Sequence, residues 1–202
     1  MRVIAGTAKG RQLYSVPGPG TRPMTNRAKA ALFSILGADI KGSRFLDLFA
    51  GTGQVGVEAL SRGAEETVFV ELGVPALRAI QANLELTRLQ DHGTVIRADA
   101  FKYLDSNTPE PFDYIFVAPP QYRGWWVQIL QLVDAKPGWL EEDGWLVVQI
   151  NPTEYETVPL TNLVMFDQRS YGSVMLCFYA PPPEDADEDA GVEEDIEEDV
   201  EA

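Results

Sequence analysis

Residues 45–58 read FLDLFAGTGQVGVE, and few folds accept that order of residues. An apolar run carries an acid at Asp47, turns through Gly51 and Gly53, and resumes in helical periodicity. The pattern predicts strand, glycine turn, helix. Glycine has no Cβ, so a ligand can approach bare backbone at such a turn. The N-terminus of the following helix adds unpaired N–H groups. Asp47 stands at the carboxyl end of the strand, the edge where open α/β sheets bind ligands. Gly51, Gly53 and Gly56 also spell G-x-G-x-x-G, a weak signal alone.

The alternation continues downstream. Strands are predicted over 44–48, 67–71, 93–97, 112–117 and 145–150, and helices over 53–62, 75–87, 101–104 and 124–133. Such β-α units in series imply a mostly parallel sheet covered by helices on both faces. The end breaks the pattern. Residues 163–168 and 173–179 are β-prone, joined by Arg169-Ser-Tyr-Gly172, with no room for a helix. They are expected to form an antiparallel hairpin at one sheet edge, giving seven strands in an α/β fold.

Upstream, residues 2–5 and 12–16 are expected to pair as a hairpin, and PGPGTRP (17–23) to form a rigid linker. A helix follows, capped by Thr25 and stopped at Gly37, with Ala28, Ala31, Leu32, Ile35 and Leu36 on its apolar stripe. Arg27 and Lys29 fall off that stripe and are expected to face outward.

Charge divides the chain further. The net charge is −15, but residues 184–201 hold 12 of the 31 acids and no Lys or Arg, leaving −3 elsewhere. Residues 1–44 hold eight Lys or Arg against Asp39 alone. A basic front reads as a surface for a phosphate backbone. Lys9, Arg11, Arg22, Thr25, Arg27 and Lys29 are its candidate RNA contacts. Residues 1–24 are taken as a basic hairpin and linker, 25–180 as the main domain, and 181–202 as a disordered acidic tail. One cysteine and one histidine exclude an internal disulfide and a Cys/His zinc set. With no signal-peptide core and no apolar run of membrane length, the expectation is a reduced, cytoplasmic, metal-free, monomeric protein. His92 is read as a loop residue, Cys177 as core, and Trp125 and Trp126 as helix packing.

The strand ends carry the chemistry: Asp47, Glu71, Asp99 and Ala118-Pro119-Pro120. An acid at the end of the second strand, 20 residues after the glycine turn, suits a ribose diol. Asp99 suits an adenine amino group, and Asp47 an ammonium. Together these describe S-adenosylmethionine better than NAD, whose pyrophosphate Asp47 would repel.

DLFAGTGQVGVEALSRGA, VFVE, ADA and the Pro-Pro loop together resemble the class I S-adenosylmethionine-dependent methyltransferases, which are Rossmann-like. MRVIAGTAKGRQL, TRPMTNRAKAALFSIL and the terminal YG hairpin narrow the resemblance to the RsmD family over residues 1–180. The resemblance implies methylation of the exocyclic N2 of a guanine in 16S ribosomal RNA, free or in an assembling 30S particle. It implies cofactor contacts from Asp47, Phe49, Gly51, Gly53, Glu71, Leu72, Asp99 and Ala100. Arg22, Thr25 and Arg27 would lie near the cofactor carboxylate or the RNA.

Catalysis would fall to Ala118, Pro119, Pro120, Gln121 and Tyr122, where the chain departs from the family's Asp-Pro-Pro-Tyr or -Phe. Ala118 removes a carboxylate acceptor for the amine and leaves the Pro119 carbonyl. Losing one charge-stabilising partner costs about 3 kcal/mol in comparable sites, against about 7–11 kcal/mol available from positioning. A slower enzyme is expected, with the Gln121 amide as substitute acceptor and Tyr122 stacked on the base. An adenine-N6 methyltransferase, a non-catalytic RNA-binding module and an NAD-dependent oxidoreductase are the competing readings.

Overall fold

The computed structural model describes residues 1–16, 24–106 and 110–183. The expected linker with Arg22 and the acidic tail from residue 184 lie outside the described residues. Seven strands form one sheet: β1 (Arg44–Leu48), β2 (Glu66–Glu71), β3 (Gly93–Arg97), β4 (Phe112–Val117), β5 (Leu140–Ile150), β6 (Val164–Tyr171) and β7 (Val174–Ala180). Their order is β3-β2-β1-β4-β5-β7-β6. The first five run parallel, β7 runs antiparallel to β5, and β6 closes the edge against β7. The expected α/β fold, with its terminal antiparallel hairpin, is the fold observed.

Five helices connect or precede the strands: α1 (Asn26–Leu36), α2 (Gln54–Ser61), α3 (Val74–Thr87), α4 (Ala100–Asp105) and α5 (Trp125–Asp134). The central strands β1, β2 and β4 are buried on both faces, so alternate residues feed two cores. Phe45, Phe69, Phe116 and Val147 pack with α1, α2 and α3. Leu46, Ile115 and Val148 pack with α4 and α5, where Trp126 and Trp139 are enclosed. Every residue of α2 is buried, and its polar members Glu58 and Ser61 bond to the backbone of the N-terminal hairpin. Gly56 lies inside it because a Cβ there would stand 2.3 Å from the Phe69 ring. Cys177 is fully buried, as expected, and burial pushes its thiol up to about 11.

Two boundaries moved by three residues or more. β5 begins at Leu140, because Phe112 pairs with Leu140 and Tyr114 with Trp145 across an irregularity that the intervening Glu-Glu-Asp-Gly disguises as a turn. The last hairpin turns at Gly172, which has φ +66°, and β6 keeps its pairing through Tyr171.

The front end is bound more firmly than a free arm. Arg2 and Gln12 form an antiparallel bridge, and Val3, Ala8 and Leu13 enter the same core as α1 and α2. Gly6 lies so close to α2 that a Cβ would meet the Ser61 carbonyl oxygen at 1.6 Å, and its φ of +80° suits glycine alone.

Lys29 corrects the sequence reading. It does not face outward; it is fully buried. Its ammonium donates to the carbonyls of Arg2 at 2.9 Å and Gln54 at 3.4 Å, and pairs with Glu58 Oε2 at 3.2 Å. Glu58 in turn accepts from the N–H groups of Ile4 and Ala5 and from Arg62 Nε at 2.9 Å. Burial pushes the Lys29 pKa down, and Glu58 opposes that. Lys29 therefore offers no charge to RNA. Phe33 and Leu36, one and two turns further along, are buried with it, so the inward face of α1 is wider than the Ala-Leu stripe.

Candidate active site

The chain runs outward from β1 through β2 to β3, then crosses back to β4 on the other side of β1. The connections after β1 and β4 therefore leave in opposite directions, and a crevice opens between them. A cavity of about 740 Å³ occupies that crevice. This volume lies within the range usual for small-molecule sites.

Asp47, Phe49, Gly51, Glu71, Leu72, Asp99, Ala100, Ala118, Pro119, Pro120, Gln121 and Tyr122 all line this one cavity. Gly53 does not. It caps α2 at φ +71°, and a Cβ would press on Ile80 and Phe69 at 3.2 Å, so its role is to let the helix turn away.

Each acid is held by backbone. Asp47 is 2% exposed, and its Oδ2 accepts from the Gly56 N–H at 3.0 Å. Burial, aided by nearby Glu71, pushes its carboxyl up to about 8 against the pull of the Gly56 N–H. Glu71 Oε2 accepts from Gly51 N–H at 2.9 Å, and Oε1 from Leu72 and Gly73 at 2.8 and 2.7 Å. Asp99 caps α4, its Oδ1 accepting from Phe101 and Lys102. Two lining residues other than glycine, Phe49 and Tyr122, hold φ near +60°. Such conformations are costly and persist where surroundings enforce them. At Tyr122 the enforcing partner is Glu154, whose Oε1 accepts the Tyr122 N–H and whose Oε2 accepts the Asn151 N–H at 3.3 Å.

The cavity also recruits residues the sequence reading passed over. Trp125, assigned to packing, stacks on Phe49 with centroids 6.0 Å apart and meets Phe101 edge-on at 5.8 Å. Its neighbour Trp126 is the packing residue, 2% exposed. Arg123 lies over the Trp125 ring, 5.4 Å from its centroid. Met24, Gln54 and Gln149 complete the wall. Neither Met24 nor Gln149 carried a signal in the sequence; Gln149 joins the wall only because β5 pairs with β4.

The candidate RNA contacts lie elsewhere. Lys9 and Arg27, with Arg2 and Asn26, line a second cavity of about 400 Å³ between the hairpin and the start of α1. Arg11 is exposed beside it, and Thr25 caps α1 by accepting from Ala28 N–H at 3.2 Å. Among the described residues no cluster of His, Cys, Asp or Glu could hold a metal ion, and no helix is long and apolar enough to cross a membrane.

The pocket favours a nucleoside without phosphates. The N–H groups of Gly51, Leu72, Gly73 and Gly56, which a pyrophosphate would need, already serve carboxylates. Acids facing the crevice from β1, β2 and β3 suit a cationic amino-acid nucleoside instead. The proteins that join this strand order to such a crevice are the class I S-adenosylmethionine-dependent methyltransferases, and this chain is one of them. Residues 1–180 match the family model "Conserved hypothetical protein 95", and the chain belongs to that family, the RsmD family. YlbH of Bacillus subtilis is 37% identical over 181 residues, covering 89% of this chain and 98% of its own. Ribosomal RNA small subunit methyltransferase D of Haemophilus influenzae is 30% identical over 181 residues, covering 89% of this chain and 93% of its own. The solved structure of yhhF from Escherichia coli superposes with a TM-score of 0.78 at 30% identity, over 90% of this chain and 97% of that one.

Proposed function

We propose that this protein transfers a methyl group from S-adenosylmethionine to the exocyclic N2 amine of a guanine in 16S ribosomal RNA. The observation that carries the proposal is the single cavity in which Asp47, Glu71 and Asp99 meet the Pro119-Pro120 loop. S-adenosylmethionine, when bound, supplies an electrophilic methyl group. Asp47 would hold its ammonium and Glu71 its ribose hydroxyls. A carboxylate has about four acceptor sites, so Glu71 can keep its backbone bonds while binding the diol. Asp99 would accept from the adenine amine, with the Phe49 and Trp125 rings as an apolar wall beside it. Leu72 and Ala100 would close the sides. The Pro119 carbonyl would accept from the target amine. Tyr122, 68% exposed at the mouth, would stack on the base.

A guanine N2 inside a duplex stack cannot reach a methyl donor in this crevice, so the target must be unpaired or flipped out. Lys9, Arg11 and Arg27 would grip the flanking phosphates. The enzyme would act in the cytoplasm as a monomer, on small-subunit RNA or an assembling 30S particle.

The test is methyl transfer from labelled S-adenosylmethionine to small-subunit RNA, followed by mapping of the modified base. Label at guanine N2 supports the proposal. A thermal shift with S-adenosylhomocysteine and none with NAD accompanies it, since ligand at 100 times its dissociation constant adds about 2.7 kcal/mol. Cofactor binding with no incorporation at saturating protein would favour a binding module in which Ala118 marks lost catalysis.

A further inference from the structure

Two buried carboxamide oxygens line the active-site cavity without a partner. Among the described residues, Gln54 Oε1, Gln149 Oε1 and Trp139 Nε1 are the buried side-chain polar atoms that make no hydrogen bond. Gln54 and Gln149 both stand on the wall of the large cavity. A buried acceptor left unpaired is costly, so an orphan at a ligand site marks a place for a ligand donor.

The sheet assigns the two carboxamides to different parts of the cavity. With the order β3-β2-β1-β4-β5, loops after β2 and β3 occupy one end and loops after β4 and β5 the other. The nucleoside end is that of Glu71 and Asp99. The opposite end, where the acceptor amine must enter, is built by β4 and β5. Phe116 pairs with Val147, and Val117 with Val148. One step further, Ala118 and Gln149 are neighbours on the face that carries Phe116 and Val147. That face also carries Asp47, which pairs with Phe116. Gln149 therefore stands beside the position where the family carboxylate is missing. Gln54 starts α2 next to the glycine turn and lies nearer the middle.

We propose that the Gln149 carboxamide is the side-chain acceptor for the target amine, in place of a carboxylate at residue 118. This rests on the methyltransferase reading above. Gln149 Oε1 and the Pro119 carbonyl each accept one N–H of the amine and turn its lone pair toward the methyl carbon. The new N–C bond forms as the C–S bond breaks, and that electron pair stays on sulfur as a thioether. The nitrogen, now cationic, loses one proton to water. A carboxamide is too weak a base to take that proton, so it acts only by positioning the amine.

The test uses the full chain with labelled S-adenosylmethionine and small-subunit RNA. Gln149→Leu is expected to lower kcat at least tenfold while the Kd of S-adenosylhomocysteine, by calorimetry, stays within twofold. Gln149→Glu keeps an acceptor and stays within a fewfold of the parent, and its kcat–pH profile at saturating cofactor gains an acid limb that the parent lacks. Ala118→Asp in the Gln149→Leu background restores most of the lost rate and brings the same limb. An unchanged kcat in Gln149→Leu overturns the proposal. So does a loss that Ala118→Asp does not restore, or a parallel loss of S-adenosylhomocysteine affinity. A loss confined to Gln54→Leu or Gln121→Leu would place the acceptor elsewhere and also overturn it. If the parent protein binds S-adenosylhomocysteine yet methylates nothing, the methyltransferase reading itself has failed.

Discussion

Asp47 is the residue on which binding and pH meet. Burial raises its carboxyl to about 8, from an ordinary value near 3.9. Between roughly pH 4 and 8 the folded protein thus holds a proton that the unfolded chain has released. Folding stability from this group therefore falls as pH rises through that window. The ligand-free protein should melt at progressively lower temperature from pH 5 to 8, and Asp47→Asn should flatten that slope. A bound ammonium reverses the preference and favours the carboxylate. Calorimetry in buffers of different ionisation enthalpy should therefore show release of close to one proton on binding S-adenosylhomocysteine at pH 6.5. Affinity should climb toward pH 8 as the Asp47 carboxyl ionises ahead of binding. Asp47→Asn should weaken binding by about 10–100-fold, the equivalent of about 1.5–3 kcal/mol for a bond to a charged group.

At the scale of elements, the N-terminal hairpin, α1 and α2 are joined by one buried ion pair. All three protons of the Lys29 ammonium are used, and both Glu58 oxygens accept two bonds each. Removing one partner strands a buried charge, which costs about 3–5 kcal/mol. Lys29→Ala should lower the unfolding free energy measured by urea titration by that amount, far more than Lys9→Ala at the exposed hairpin. Gly6 is the steric counterpart. Gly6→Ala forces the hairpin off Ser61, because neither the backbone angle nor the space admits a methyl. It should weaken RNA binding while leaving the affinity for S-adenosylhomocysteine within twofold, since the cavity walls lie on other elements.

At the scale of the whole molecule, the exposed cations Arg2, Lys9 and Arg27 gather around the cleft between the hairpin and α1, with Arg11 alongside. Each neutralised phosphate releases counterions, so binding weakens with salt. Replacing any one of these four with Ala should weaken RNA binding and reduce the slope of log K against log salt by about one. Guanosine or S-adenosylhomocysteine binding should not respond. Unchanged salt slopes would move the RNA interface to another face.

Much of the fold was legible in the chain because its signals are local. Hydrophobic period, caps and glycine punctuation marked every helix, and strands β1, β3 and β4 to the residue. The acids at the ends of β1, β2 and β3 were legible for the same reason: parallel connections force those ends onto one edge. What side chains meet there was not. Lys29 looks like a surface cation until Glu58, 29 positions away, is placed beside it. Trp125 looks like packing until α5 swings over Phe49. Gln149 looks like an ordinary strand residue until β5 is set next to β4. A periodicity tells which face of an element is apolar; only the packed sheet decides what each face touches, because those contacts join residues far apart in the chain.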